Sequence, residues 1–206
     1  MIIPWLDWAS LAIRWLHLAA GIAWIGTSFY FIWLDRSLRA REKLPKGVQG
    51  ESWSVHGGGF YHVQKYAVAP EAMPDDLHWF KYEAYFTWLS GFALLIVLYY
   101  FGASTYLIDS TRADLTPTMA IGISVAFLIG SWGLYEALCR SPIGRSTTVL
   151  ASSVLVLILV SAFLLTQIFS DRAAFLHVGA LIGTIMSANV FVVIIPNQKK
   201  VVADLL

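Results

Sequence analysis

Residues 7–35, with the sequence DWASLAIRWLHLAAGIAWIGTSFYFIWLD, form a hydrophobic stretch long enough to cross a membrane as one helix. Positions spaced alternately by three and four residues place a single stripe along this helix, made of Asp7, Ser10, Arg14, His17, Gly21, Trp24, Ser28, Phe31 and Asp35. Every charged residue of the stretch lies on this stripe. Because an ionised side chain at membrane depth costs about 2.5–3.5 kcal/mol, we predict that Arg14 and His17 face the interior of a helix bundle.

The composition indicates a polytopic membrane protein, since 58% of the residues are hydrophobic and only 13% are charged. A net charge of +1, without a basic stripe bearing aromatic residues, argues against a nucleic-acid partner. Cys139 is the single cysteine, which excludes an internal disulfide, a thiolate-rich metal site and a Cys-x-x-Cys-His attachment site for haem c. The N-terminus has neither a positive n-region nor a small-residue cleavage site, so we expect the first helix to be retained.

About 20 apolar residues are needed for each span, and this length predicts five helices in one membrane domain covering residues 1–206. The expected fold is an all-α transmembrane bundle with helices at about 8–34, 82–108, 117–139, 147–169 and 173–195. Pro117 suits the first turn of the third helix, and Pro196 suits a helix stop. The loops and tail on one side hold eleven Lys and Arg residues against two on the other, which predicts a periplasmic N-terminus and a cytoplasmic C-terminus.

The loop 35–81 should then be cytoplasmic, and it contains strand-forming residues around Gly57, Gly58 and Gly59 that predict a short hairpin. The glycines can form a plain turn or cradle a flat anionic ligand. His56, Gly58, Gly59, His62 and His78 are therefore candidate substrate-binding residues, although the two histidines that flank the turn match no standard metal spacing. We expect the aromatic residues of this loop, Trp53, Phe60, Tyr61 and Tyr66, to pack against the bundle.

His17 and His177 are the two histidines inside predicted spans, at depths on the order of 9 and 6 Å from the outer surface. Equal depth makes them candidate axial ligands of one b-type haem, with Arg14 beside a propionate and Gly21 making room for the flat group. The alternative is that both histidines make structural hydrogen bonds and that Gly21 only allows close helix packing.

Glu136, near the cytoplasmic end of the third helix, could serve a proton path or extend to the interface. Arg14 and Glu136 are the candidate catalytic residues.

Four stretches taken together resemble the N-terminal membrane domain of the bacterial membrane-bound urate oxidases, also described as urate hydroxylases. They are the run from His17 to Asp35, the turn from His56 to Tyr61, the segment from His78 to Gly91 and the stretch from Asn189 to Lys200. The resemblance implies a protein of the bacterial inner membrane that oxidises urate at C5 to 5-hydroxyisourate. It also implies that electrons pass to a cytochrome c domain fused after about eight helices, or to another respiratory-chain acceptor. With five helices and no Cys-x-x-Cys-His, this chain is expected to be a truncated form of a longer protein.

Three hypotheses about function follow. The first is a membrane oxidoreductase that acts on urate or a related purine with the help of a cofactor. The second is a transporter of a purine or another anion, in which Arg14 neutralises charge and His17 relays a proton. The third is a non-catalytic membrane subunit whose polar stripe specifies helix pairing. The broken helices and symmetric halves typical of transporters are not evident in the sequence.

Overall fold

The computed structural model describes residues 4–70, 72–74 and 76–205. Five helical segments in this part of the chain are long and apolar enough to cross a membrane, at Trp5–Ser37, Tyr82–Tyr100, Pro117–Arg140, Thr147–Ile168 and Asp171–Leu205. They correspond to the five spans that hydrophobicity predicted. The prediction of an all-α transmembrane bundle is therefore confirmed.

The α-helices are α1 Pro4–Ser37, α2 Tyr82–Leu95, α3 Pro117–Arg140, α4 Thr147–Ile168, α5 Asp171–Asn189 and α6 Ile195–Leu205. Hydroxyl side chains cap the N-terminal ends of three of these helices. The Thr116 hydroxyl accepts a hydrogen bond from the Met119 amide at the start of α3, and Ser146 and Ser170 do the same for α4 and α5. Pro117 occupies the first turn of α3, as predicted, because the amide hydrogen that it lacks has no partner there.

The second span is not the uninterrupted helix predicted for residues 82–108. It changes after α2 into two π-helical segments, π1 at Ile96–Tyr100 and π2 at Ala103–Leu107, separated by a turn at Gly102. Gly102 has φ −103° and ψ 30°, and a Cβ there would lie 2.7 Å from the Tyr106 ring and from the Leu98 carbonyl oxygen. Glycine therefore allows a close turn that hydrophobicity alone does not reveal.

The predicted helix stop at Pro196 is wrong. A third π-helical segment, π3 at Val190–Ile194, follows α5 and leads directly into α6, so the chain stays helical through Pro196 to Leu205. Pro196 lies in the first turn after the change of hydrogen-bonding pattern, where the loss of its amide hydrogen interrupts no continuous α-helical ladder.

Helices α3 and α5 pack against the second π-helical segment, π2, and α4 packs against α5 and α3. Leu107, Leu165, Phe169 and Leu181 are fully buried there. Helix α1 packs mainly against α2. Its outer surface carries exposed Trp, Leu, Ile and Phe side chains, as expected for a surface that faces lipid.

A latch of polar groups joins the end of the second span to the turn between α4 and α5. The Arg112 guanidinium lies 3.1 Å from an Asp109 carboxylate oxygen and 2.7 Å from one of Asp171, and it donates to the carbonyls of Thr166 and Phe169. Hydrogen bonds from Thr111, helped by the Arg112 charge, hold the pKa of Asp109 below its ordinary value. The latch fixes the position of the first turn of α5 relative to π2.

The predicted hairpin is present as two antiparallel strands, β1 Val48–His56 and β2 Gly59–Tyr66. Gly57 and Gly58 form its two-residue turn with φ values of 56° and 79°, a conformation that favours glycine. Lys65 donates to the Asp35 carboxylate at 2.7 Å, and the hydroxyls of Ser37 and Ser52 lie 2.8 Å apart. These contacts fasten the hairpin to the C-terminal end of α1.

The prediction that the hairpin aromatics pack against the bundle is wrong. Phe60 is 80% exposed, and Trp53, Tyr61 and Tyr66 also keep more than a third of their surface accessible. Trp53 instead stacks on the His62 imidazole, whose Nε2 lies 2.7 Å from Glu51. This hydrogen bond is the main reason that the pKa of Glu51 is lowered, so the polar groups of the hairpin satisfy each other locally.

Candidate functional site

A cleft of about 380 Å³ opens between the N-terminal half of α1, the two π-helical segments of the second span and the start of α5. Its lining residues are Asp7, Ser10, Leu11, Arg14, Leu98, Tyr99, Tyr106 and Arg172. The volume is at the lower end of the range of small-molecule sites. The cleft therefore suits a compact ligand.

Two arginines give the cleft a net positive charge, since Asp7 is the single carboxylate among its lining residues. Neither Arg14 nor Arg172 forms a salt bridge with any residue that the structure describes. The Arg172 guanidinium lies over the Tyr106 ring, 5.7 Å from its centroid. A cationic cleft with a flat aromatic surface can bind a planar anion, because arginine pairs with anions and stacks on rings.

The π-helical segments place two tyrosines in this cleft, Tyr99 from π1 and Tyr106 from π2. π-helical turns are rare and occur frequently at functional sites. The Ser170 hydroxyl, at the cap of α5, also donates to the Tyr106 carbonyl at 2.7 Å, which brings Arg172 close to Tyr106. The local backbone thus assembles the cleft from three separate parts of the chain.

His177 is fully buried and contacts Tyr99, but it does not itself line the cleft. The two rings pack edge to face, with their centroids 6.3 Å apart. Its Nδ1 is 2.7 Å from the Ala173 carbonyl, which can only accept, so Nδ1 carries the hydrogen. In the neutral imidazole, Nε2 then accepts from the Ser124 hydroxyl at 2.7 Å, and Ser124 accepts from the Tyr100 hydroxyl at 2.9 Å. This chain of hydrogen bonds joins α5, α3 and π1.

His17 lies between α1 and α2, away from α3. Its Nδ1 is 3.0 Å from the Thr87 carbonyl and 3.2 Å from the Ser90 hydroxyl. A Cβ at Gly91 would lie 2.9 Å from His17 Cε1, whereas one at Gly21 would meet only Thr87 at an ordinary 3.9 Å. Gly91 is therefore the glycine that makes room for the imidazole, and Gly21 lies in the packing interface of α1 and α2.

The two imidazoles that sequence suggested as a haem pair contact different helices. Both ring nitrogens of His177 have partners, so binding to iron would require the Ser124 hydrogen bond to break and a fully buried ring to become accessible. His177 does not fit the role of a haem ligand in this arrangement. The haem assignment stays a prediction, and no catalytic step is derived through it.

Glu136 and the hairpin residues lie elsewhere. The Glu136 carboxylate accepts from Arg140 at 2.7 Å in the last turn of α3. Gly58 belongs to the hairpin turn, His62 pairs with Glu51, and His78 packs against Phe80 with centroids 4.5 Å apart. Because the hairpin is fastened at Asp35, roughly 30 Å along α1 from Arg14, the structure does not join these residues to the cleft.

The polar stripe on α1 identified three of the cleft residues, Asp7, Ser10 and Arg14, but the sequence pattern did not identify the polar cleft residues of the other segments. Tyr99, Tyr106 and Arg172 were treated as ordinary members of spans or loops. A usable signal existed for Arg172, because it is one of only two Lys and Arg residues predicted on the outer side. The tyrosines carried no comparable signal, since nine tyrosines suit any membrane protein.

Comparison with known proteins gives one match. A family model described as urate oxidase N-terminal matches residues 4–206. This range includes all the cleft residues, the hairpin and the five spans. No curated protein and no solved structure matches the chain.

Proposed function

Because this chain belongs to the urate oxidase N-terminal family, we propose that it binds urate in the cleft and takes part in urate oxidation at the membrane. The observation that carries the proposal is a cleft with two arginines, Arg14 and Arg172, that form no salt bridge with the residues the structure describes, one of them lying over the Tyr106 ring. Urate is a planar anion at neutral pH. Its charge would pair with the guanidinium groups, and its ring would stack on the flat surface that Tyr106 and Arg172 form.

The proposed reaction converts the urate monoanion and one water into 5-hydroxyisourate, with release of one proton and two electrons. The electrons pass to a cytochrome c or to another acceptor of the respiratory chain. The residues of the cleft bind and orient the anion, and the low dielectric of the membrane strengthens their attraction for it. The released proton goes to solvent, because the cleft is open to the surface of the protein.

Urate binding by the purified full chain in detergent tests the proposal directly. Equilibrium dialysis with labelled urate should show saturable binding that competing oxopurine anions reduce and that neutral purines reduce far less. Absence of saturable binding would refute the proposed function.

Reduction of added ferricytochrome c by urate in membranes tests the redox part of the proposal. A haem absorption band that changes to the reduced form when urate is added, and that is lost in His17→Ala, would support the haem prediction.

We also propose an orientation in a bacterial inner membrane, with the cleft at the periplasmic side. The basic segment after α1 and the α3–α4 turn lie on the side of the hairpin, which should be cytoplasmic. Reporter fusions after Gly47 and after Asp109 should therefore report opposite sides of the membrane. A fusion after Gly144 should match the Gly47 fusion. The same side at Gly47 and Asp109 would contradict the orientation.

A further inference from the structure

Tyr99 is the one cleft-lining residue with a side-chain polar group that is both deeply buried and without a partner in the described part of the chain. Its side chain is 1% exposed, and its hydroxyl makes no hydrogen bond. The other buried side-chain atom of this kind is Trp132 Nε1 on α3, which is not part of the cleft. Buried hydroxyls nearly always have a partner in native proteins, so the Tyr99 hydroxyl requires an explanation.

The surrounding residues cannot supply that partner. The nearest polar ring is His177, but its Nε2 is engaged by Ser124 and its Nδ1 by the Ala173 carbonyl. Tyr106 packs against Tyr99 through its ring, with centroids 6.4 Å apart and an angle of 64°. The next residue, Tyr100, uses its own hydroxyl on Ser124. Because Tyr99 lines the cleft, a molecule bound there can supply the missing partner.

We infer that the Tyr99 hydroxyl donates a hydrogen bond to a carbonyl oxygen of the bound oxopurine and so determines which purines the cleft accepts. The inference rests on the proposed function, because it concerns the same cleft. Arg14 and Arg172 select negative charge but do not distinguish one planar anion from another. A fixed donor on a buried π-helical turn does distinguish them, because a ligand without the matching oxygen leaves the hydroxyl unpaired.

The chain offers a matched pair of variants, Tyr99→Phe and Tyr100→Phe, which remove the same atom from adjacent residues. Tyr99→Phe removes a hydroxyl without a partner, so the thermal midpoint of the ligand-free protein should stay the same or rise. Tyr100→Phe breaks the hydrogen bond to Ser124, so its midpoint should fall. For urate affinity, the variant with the larger effect should instead be Tyr99→Phe. It should weaken binding by about 10- to 100-fold, whereas Tyr100→Phe should leave binding nearly unchanged.

The experiment measures dissociation constants of the full chain for urate and for three analogues that each lack one carbonyl oxygen: xanthine, 2,8-dioxopurine and 6,8-dioxopurine. Tyr99→Phe should weaken urate and two analogues but leave the third unchanged, which identifies the accepting oxygen. Equal loss for all four ligands, or no loss for any, would overturn the inference while leaving urate binding intact. Failure of the unmodified protein to bind urate would overturn the proposed function and the inference together.

Discussion

Replacing Arg14 with Gln is expected to lower kcat/KM for urate by roughly 30- to 150-fold, as for loss of one charge-assisted pair worth about 2–3 kcal/mol. The glutamine keeps much of the side-chain length and some hydrogen-bonding capacity but removes the charge. Insertion of the protein should not suffer, because removing a charge from a membrane-spanning helix lowers the free-energy cost of placing that helix in the membrane. Rates of ferricytochrome c reduction at several urate concentrations measure the effect.

One control and one second cleft variant separate the effect of the cleft from the general effect of removing a charge. Arg36→Gln removes an exposed arginine from the opposite end of the same helix and should leave kcat/KM unchanged. Arg172→Gln should reduce kcat/KM like Arg14→Gln, because the two guanidinium groups line one cleft. If Arg14→Gln behaved like Arg36→Gln, the polar stripe of α1 would be a packing feature, and the cleft would not be the urate site.

The spans could be predicted because each depends on local hydrophobicity over about 20 residues. The hairpin was also predictable, since Gly57 and Gly58 supply a local turn signal between strand-forming residues. By contrast, the π-helical segments could not be predicted. The two in the second span flank the close turn at Gly102 and pack into the bundle core, and neither feature is encoded in the hydrophobic pattern.

The cleft was only partly predictable for a related reason. The polar stripe identified Arg14 because an arginine in an apolar helix is locally exceptional. Arg172 and Tyr106 come from other segments that meet Arg14 only in the folded bundle. The latch at Arg112 and the Ser170 hydrogen bond hold those two segments together. The haem hypothesis paired His17 with His177 on depth alone. Depth along a helix does not determine which neighbouring helix a side chain faces.

His177→Ala is expected to destabilise the folded bundle by about 3–5 kcal/mol, as for truncation of a large buried ring. The imidazole is fully buried between Tyr99 and Phe169, so its removal leaves a cavity in the core. The Ser124 hydroxyl also loses an acceptor, although its bond to Tyr100 can remain. Since proteins are stable by only about 5–15 kcal/mol, the yield of monodisperse protein in detergent should fall sharply.

His177→Phe distinguishes this structural role from haem binding. Phenylalanine fills most of the space of the imidazole, so the variant should recover part of the lost stability and remain purifiable. His56→Ala, at the exposed end of β1, should leave yield and thermal midpoint unchanged. If the protein binds haem through residues other than His177, the purified Phe variant should keep its absorption band. Loss of the band from a stable, monodisperse His177→Phe protein would instead show that the imidazole leaves Ser124 to bind iron, and would contradict the structural role given to it here.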